Sequence, residues 1–223
     1  MSIRVKICGI TTLDDGMFAA KAGADMLGFN FYTKSKRTIG VSPARFLADG
    51  LRERLGAACP LLVGVFVNAT SAQLQTIKAE VGLDFVQLSG DESANLLADL
   101  HGKAFKALHP ANLQELQMDI AYFSATMPED ERAPSLLVDG FRPGEYGGTG
   151  QETSSEIAQA AKDRIPRLML AGGLTPENVT ERVQTIRPWG VDVASGVESG
   201  TPGIKDHDKV QAFIQAAHAA DLM

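Results

Sequence analysis

The sequence predicts an α/β chain, a single (β/α)8 TIM barrel with short loops spanning residues 1–223. Three observations predict it. Short runs rich in β-branched and aromatic residues alternate with longer helical patterns about eight times, which implies a parallel sheet. No glycine fingerprint opens the chain, so a closed barrel is favoured over an open doubly wound sheet. With 44% hydrophobic residues, the chain can fill one core, and no linker or low-complexity tract divides it.

The strands are read, in order, in "RVKIC" (4–8), "DMLGFNF" (25–31), "LLVGVFV" (61–67), "DFVQL" (84–88), "AFKAL" (104–108), "SLLVD" (135–139), "RLMLA" (167–171) and "GVDVAS" (190–195). Each is bounded by a segment of helical pattern. These are "TTLDDGMFAAKAG", "SPARFLADGLRERLG", "SAQLQTIKAEVG", "DESANLLADLH", "NLQELQM", "SSEIAQAAKDR", "PENVTERVQTIR" and "DHDKVQAFIQAAHAA". Ser42-Pro43 and the run from Thr175 to Asn178 are read as N-caps followed by proline at the first helical position. The weakest unit lies around residues 109–134, where the helix is expected to be short and "TMPEDERAP" to be irregular.

Composition narrows the class. A net charge of -6 argues against nucleic acid or an anionic membrane as partner. No apolar run approaches the roughly 20 residues that span a bilayer, and no secretory signal pattern opens the chain. Two cysteines far apart, Cys8 and Cys59, do not make a disulfide framework. A cytoplasmic protein is expected. The four histidines are scattered, without the spacing of a metal site, so no metal and no cofactor are expected.

In such a barrel the chemistry sits at the carboxyl ends of the strands, and alternate side chains point inward. With Val5 and Ile7 outward, Lys6 and Cys8 point inward and Cys8 lies at the rim. With Leu136 and Val138 outward, Asp139 takes the inner rim of the sixth strand. A thiol and a carboxyl would then share one mouth. Each also has a plainer reading, Cys8 as a small core hydrophobe and Asp139 as a turn residue before glycine. Asp192 shares the inward parity and is expected to meet Lys6 where the eighth strand closes on the first, as a buried structural pair.

Two glycine-bearing loops, "AGGLTPENV" and "ASGVES", follow the seventh and eighth strands. Backbone N–H groups there suit a phosphate, which makes Gly172, Gly173, Ser195 and Gly196 candidate phosphate ligands. In "GFNFYTKSKR", Arg37 either belongs to a solvated basic loop or offers its fork to a substrate carboxylate. Asn68 and Gln87 are read as rim-facing, and His109, just beyond the fifth strand, either lines the mouth or, the preferred reading, is a surface histidine.

Taken together, "KICGIT", "GADMLGFNFYTKSKR", "VGVFVN", "FVQLSGDE", "EYGGTGQ", "AGGLTPENV" and "GVDVASGVESGTPGIKDHDKVQAFI" resemble the phosphoribosylanthranilate isomerase family of tryptophan biosynthesis. The resemblance runs nearly the full length, in order. It implies a metal-free, cofactor-free barrel, monomeric or homodimeric, that acts on a phosphorylated aminosugar by an Amadori rearrangement. It implies Cys8 as general base, Asp139 as general acid, Arg37 as the carboxylate ligand, and Gly173, Ser195 and Gly196 in the phosphate loops. It also implies a mobile loop from Gly147 to Gln151. Three positions depart from the family: Ser89 stands where histidine is usual, Gly140 where serine or threonine usually follows the aspartate, and "ETSSE" where an aromatic run is usual. The alternatives are a diverged phosphate-binding paralogue and the aminoribotide isomerase of histidine biosynthesis. The second is disfavoured by the cysteine on the first strand and the lack of an internal repeat.

Overall fold

The computed structural model describes residues 2–140 and 153–220. Its strands are β1 (Arg4–Cys8), β2 (Met26–Asn30), β3 (Leu61–Phe66), β4 (Phe85–Leu88), β5 (Ala104–Leu108), β6 (Leu136–Val138), β7 (Leu168–Leu170) and β8 (Gly190–Val193). They pair in chain order, all parallel, and β8 closes on β1 with Lys6 beside Asp192. The helices are α1 (Leu13–Ala22), α2 (Val41–Leu55), α3 (Ser71–Val81), α4 (Ala94–Ala98), α5 (Leu113–Phe123), α6 (Ser155–Lys162), α7 (Val179–Ile186) and α8 (His207–Ala220). None of the described helices is long and apolar enough to cross a membrane. The loop expected from Gly147 to Gln151 lies outside the described residues.

Local chemistry starts most of the helices. Thr12, Ser93, Asn112 and Ser154 each accept a backbone N–H from three residues on, and Thr70 forms a reciprocal capping box with Gln73. The two proline signals behave otherwise. Gly40 caps α2, so Ser42 and Pro43 fall inside its first turn, where a missing N–H forfeits no intrahelical bond. The stretch Thr175 to Asn178 closes a turn of its own, with the Thr175 N–H donating to Asn178 Oδ1 at 2.8 Å. α7 begins only at Val179.

The fifth unit also differs from expectation. α5 runs eleven residues because Leu116, Ile120 and Phe123 continue one buried stripe past the predicted end at Met118. The five-residue α4 is the shortest of the described α-helices.

Strand parity produces two apolar layers. Outward residues such as Val5, Ile7, Leu136 and Val138 pack under the helices. Inward residues Met26, Val63, Phe85, Phe105, Leu137 and Met169 fill the barrel interior, with Trp189 and Leu61 against them. The barrel is therefore solid below and open to side chains only at its upper rim.

Candidate active site

A cavity of about 650 Å³, counting the space open to solvent at its mouth, occupies the carboxyl end of the barrel. Cys8, Arg37, Asp139, Gly172, Gly173 and Ser195 all line it, together with Gln87 of β4 and Ser89 just after it. The strands thus bring together six of the seven residues read from the sequence as catalytic or substrate-binding. Gly196 is not among the lining residues. It lies where the β7 and β8 loops touch, and a Cβ there would stand 2.0 Å from the carbonyl oxygen of Leu174. Only a glycine permits that approach.

Cys8 ends β1 and is 8% exposed. Beneath it Lys6, fully buried, donates to Asp192 Oδ1 at 2.9 Å. Burial pushes the Cys8 thiol up, and the Asp192 carboxylate adds to this, while Lys6 and Lys205 pull it back only in part. Neighbouring cations ordinarily lower a thiol. The cations are present, but burial outweighs them. Burial likewise opposes the Lys6 ammonium, yet Asp192 and the Cys8 sulfur more than offset it, so Lys6 is held charged.

Asp139 follows β6 directly. Its backbone N–H donates to Leu108 at 3.0 Å, and its Oδ1 accepts the Gly140 N–H at 2.7 Å. His109 is not the surface residue expected. It follows β5 on the inward face, with its side chain 16% exposed and Nε2 3.9 Å from Asp139 Oδ2. Burial, helped by the charge of Lys106, lowers the imidazole to about 4. Among the described residues, the buried side-chain polar atoms without a hydrogen-bond partner are His109 Nε2 and Gln87 Oε1. Gln87 lines the cavity, and His109 stands next to Asp139, which does.

Arg37 reaches the cavity from the loop after β2. Its Nε and Nη2 donate to the two carboxylate oxygens of Glu198, at 2.7 and 2.8 Å. These hydrogen bonds raise the Arg37 pKa. Burial works against the Glu198 carboxylate, but Arg37, the Gly203 N–H and Lys205 leave it below its ordinary value. The glycine after Cys8 now has a reason. Gly9 sits at φ +76, and a Cβ there would meet Arg37 Cδ at 2.7 Å, so the guanidinium stem passes over it.

Two further buried lysines shape the rim. Lys205 donates to the Ala194 carbonyl at 3.0 Å from within the β8 loop. Lys106 points outward and gathers the Leu88 and Gly90 carbonyls and Glu92, fixing the loop that follows Ser89. Asn68 is also tied into that loop, accepting the Asp91 N–H at 2.7 Å. It is not among the residues lining the cavity. Glu198 and Lys205 were not assigned to the site from the sequence, and the preferred reading of His109 put it on the surface. "GVESGTPGIK" held the first two within a matched motif, but no spacing rule ties a glutamate to an arginine 161 positions earlier.

Comparison with known proteins follows the same lines. The family model described as "N-(5'phosphoribosyl)anthranilate (PRA) isomerase" matches residues 5–216. A protein of Roseiflexus castenholzii named N-(5'-phosphoribosyl)anthranilate isomerase is 44% identical over 218 residues, covering 97% of this chain and 98% of that one. The crystal structure of phosphoribosyl anthranilate isomerase from Thermotoga maritima superposes with a TM-score of 0.83 at 37% identity, covering 97% and 99% of the two chains. Another crystal structure, in complex with reduced 1-(o-carboxyphenylamino)-1-deoxyribulose 5-phosphate, superposes at 0.80 with 35% identity, covering 97% and 99%.

Proposed function

The chain belongs to the N-(5'-phosphoribosyl)anthranilate isomerase family, and on that premise we propose that it isomerises its phosphorylated aminosugar with Cys8 as base and Asp139 as acid. The family's step is an intramolecular aldose–ketose isomerisation of tryptophan biosynthesis. The substrate is N-(5'-phosphoribosyl)anthranilate and the product 1-(2-carboxyphenylamino)-1-deoxyribulose 5-phosphate, and the reaction runs in the cytoplasm.

The observation that carries the residue assignment is that Cys8 and Asp139 line one cavity with the glycine loops of β7 and β8. The N–H groups around Gly172, Gly173 and Ser195 hold the phosphate, and Gly196 lets the two loops close on each other. Arg37 takes the anthranilate carboxylate while Glu198 keeps its guanidinium oriented. Asp139 donates its proton to the furanose ring oxygen. The C1–O bond breaks and the amine lone pair forms a Schiff base. Cys8, as thiolate, removes the proton from C2, and the resulting enolamine tautomerises to the ketose.

The buried thiol sets a trade-off. A raised pKa makes the thiolate scarce but more basic once formed. Lys6 beneath it limits the scarcity, because its ammonium stabilises the anion.

The test is the decay of phosphoribosylanthranilate fluorescence with wild type, Cys8→Ser and Asp139→Asn. Wild type should consume the substrate, and each variant should slow by at least about 100-fold, the scale of one positioned acid or base. Unchanged rates in both variants dismiss the acid–base pair. No decay with wild type favours a phosphate-ligand-binding barrel instead.

A further inference from the structure

We propose that His109 is a positioning residue for the reaction, its Nε2–H serving the Asp139 carboxylate that is left once Asp139 has given up its proton. The inference rests on the acid role proposed for Asp139 and adds the group that stabilises the conjugate base.

Strand register brings the two side chains together. Leu108 of β5 pairs with Val138 of β6, so the next residue on each strand, His109 and Asp139, stands at the same height on the same inner face. Nε2 and Oδ2 are 3.9 Å apart, about 1 Å beyond hydrogen-bond distance. A small rotation of either side chain closes that gap. Nε2 is buried and, among the described residues, without a hydrogen-bond partner. A buried polar nitrogen of this kind is costly unless something engages it at some stage of turnover.

Charge state completes the argument. Among the described residues, the charged groups acting on His109 are Asp139 beside it, Lys106 behind β5 and Asp91 in the β4 loop. Burial and Lys106 keep the imidazole neutral at physiological pH. A cationic imidazole at this place would hold Asp139 ionised and disable it as an acid. A neutral N–H does not. Its attraction grows only as negative charge develops on Oδ2, when the proton passes to the ring oxygen and the C1–O bond breaks. Such a donor favours the transition state over the ground state.

The test compares His109→Gln, whose amide nitrogen reaches the Nε2 position, with His109→Asn, whose amide stops short. The Asn variant should lose about 10- to 100-fold in kcat, the worth of a hydrogen bond to a charged group, with little change in KM. The carbon-13 titration of the Asp139 carboxyl, assigned by its disappearance in Asp139→Asn, should move up in the Asn variant. Gln should restore most of both. Nitrogen-15 shifts of wild-type His109 should show a proton on Nε2, a reading that needs no variant to fold. An unprotonated Nε2, equal behaviour of Gln and Asn, or an unmoved Asp139 titration overturns the proposal. If Asp139→Asn is inactive while His109→Asn is unimpaired, the acid stands and only the His109 role falls. If Asp139→Asn retains full activity, both fall.

Discussion

Lys6 Nζ lies 2.9 Å from Asp192 Oδ1, across the seam where the first strand meets the last. The lysine is wholly buried and the carboxylate nearly so, and the pair stands directly under Cys8. Neither charge is tolerable there alone.

Asp192→Asn therefore strands the Lys6 ammonium. We expect a loss of about 3–5 kcal/mol in urea unfolding, the usual cost of breaking a buried pair from one side. An unchanged unfolding midpoint would refute the structural role. Because Asp192 also lifts the Cys8 thiol, the surviving folded fraction should show a lower thiol pKa.

The Cys8 thiol should react slowly at neutral pH. Its pKa lies above the ordinary 9.0, so alkylation by iodoacetamide, corrected with Cys8→Ser for the contribution of Cys59, should have its midpoint above that value. The sign of the stability effect follows. A folded-state pKa above the unfolded one gives stability that is complete below the unfolded pKa. That stability is lost as pH rises through the folded value. Cys8→Ser should show a shallower alkaline decline in unfolding free energy, the remainder coming from groups such as Cys59 and Lys6 whose pKa values are also raised. A midpoint at or below the ordinary thiol value contradicts the burial argument.

Glu198→Gln should separate orientation from charge at Arg37. Removing the carboxylate weakens the double hydrogen bond, and KM should rise by roughly 10-fold, with kcat changed less. Glu198 has a depressed pKa in the fold. It contributes stability above its ordinary value of 4.5, and that contribution is lost as pH falls through the folded pKa. Acid titration of unfolding free energy should be flatter in the Gln variant. An unaltered KM removes Glu198 from the binding machinery.

Gly196→Ala forces a Cβ to within 2.0 Å of the Leu174 carbonyl oxygen. Backbone cannot retreat as a side chain can, so the β7 and β8 loops must part. Inhibition by inorganic phosphate should weaken by at least about 10-fold, and stability should drop by roughly 1–3 kcal/mol. Full retention of phosphate inhibition would take the anion site away from these loops.

The barrel was legible in the sequence because strand-like and helical runs alternate about eight times along it, and period-2 parity then sets which side chains face inward. The same rule placed Cys8 and Asp139 at the rim and paired Lys6 with Asp192, which strand closure makes neighbours. Features set by three-dimensional burial were not legible. The height of the Cys8 pKa depends on how much protein surrounds the sulfur, which no local pattern records. His109 read as a surface residue because its neighbours across the sheet, not along the chain, cover it. Arg37 and Glu198 come from loops on different strands, and their meeting reflects loop shape. Helix starts failed at the two prolines, where Gly40 and Asn178 took the cap positions instead.

The packed layer of Phe85, Phe105, Met169 and their neighbours turns the barrel into a cup with a closed floor. Traffic is then one-way-in and same-way-out: whatever leaves must vacate the doorway before anything else arrives. A finished molecule lingering at the rim accordingly obstructs the next one. Slow departure would show as competitive inhibition by product, with no second exit to relieve it.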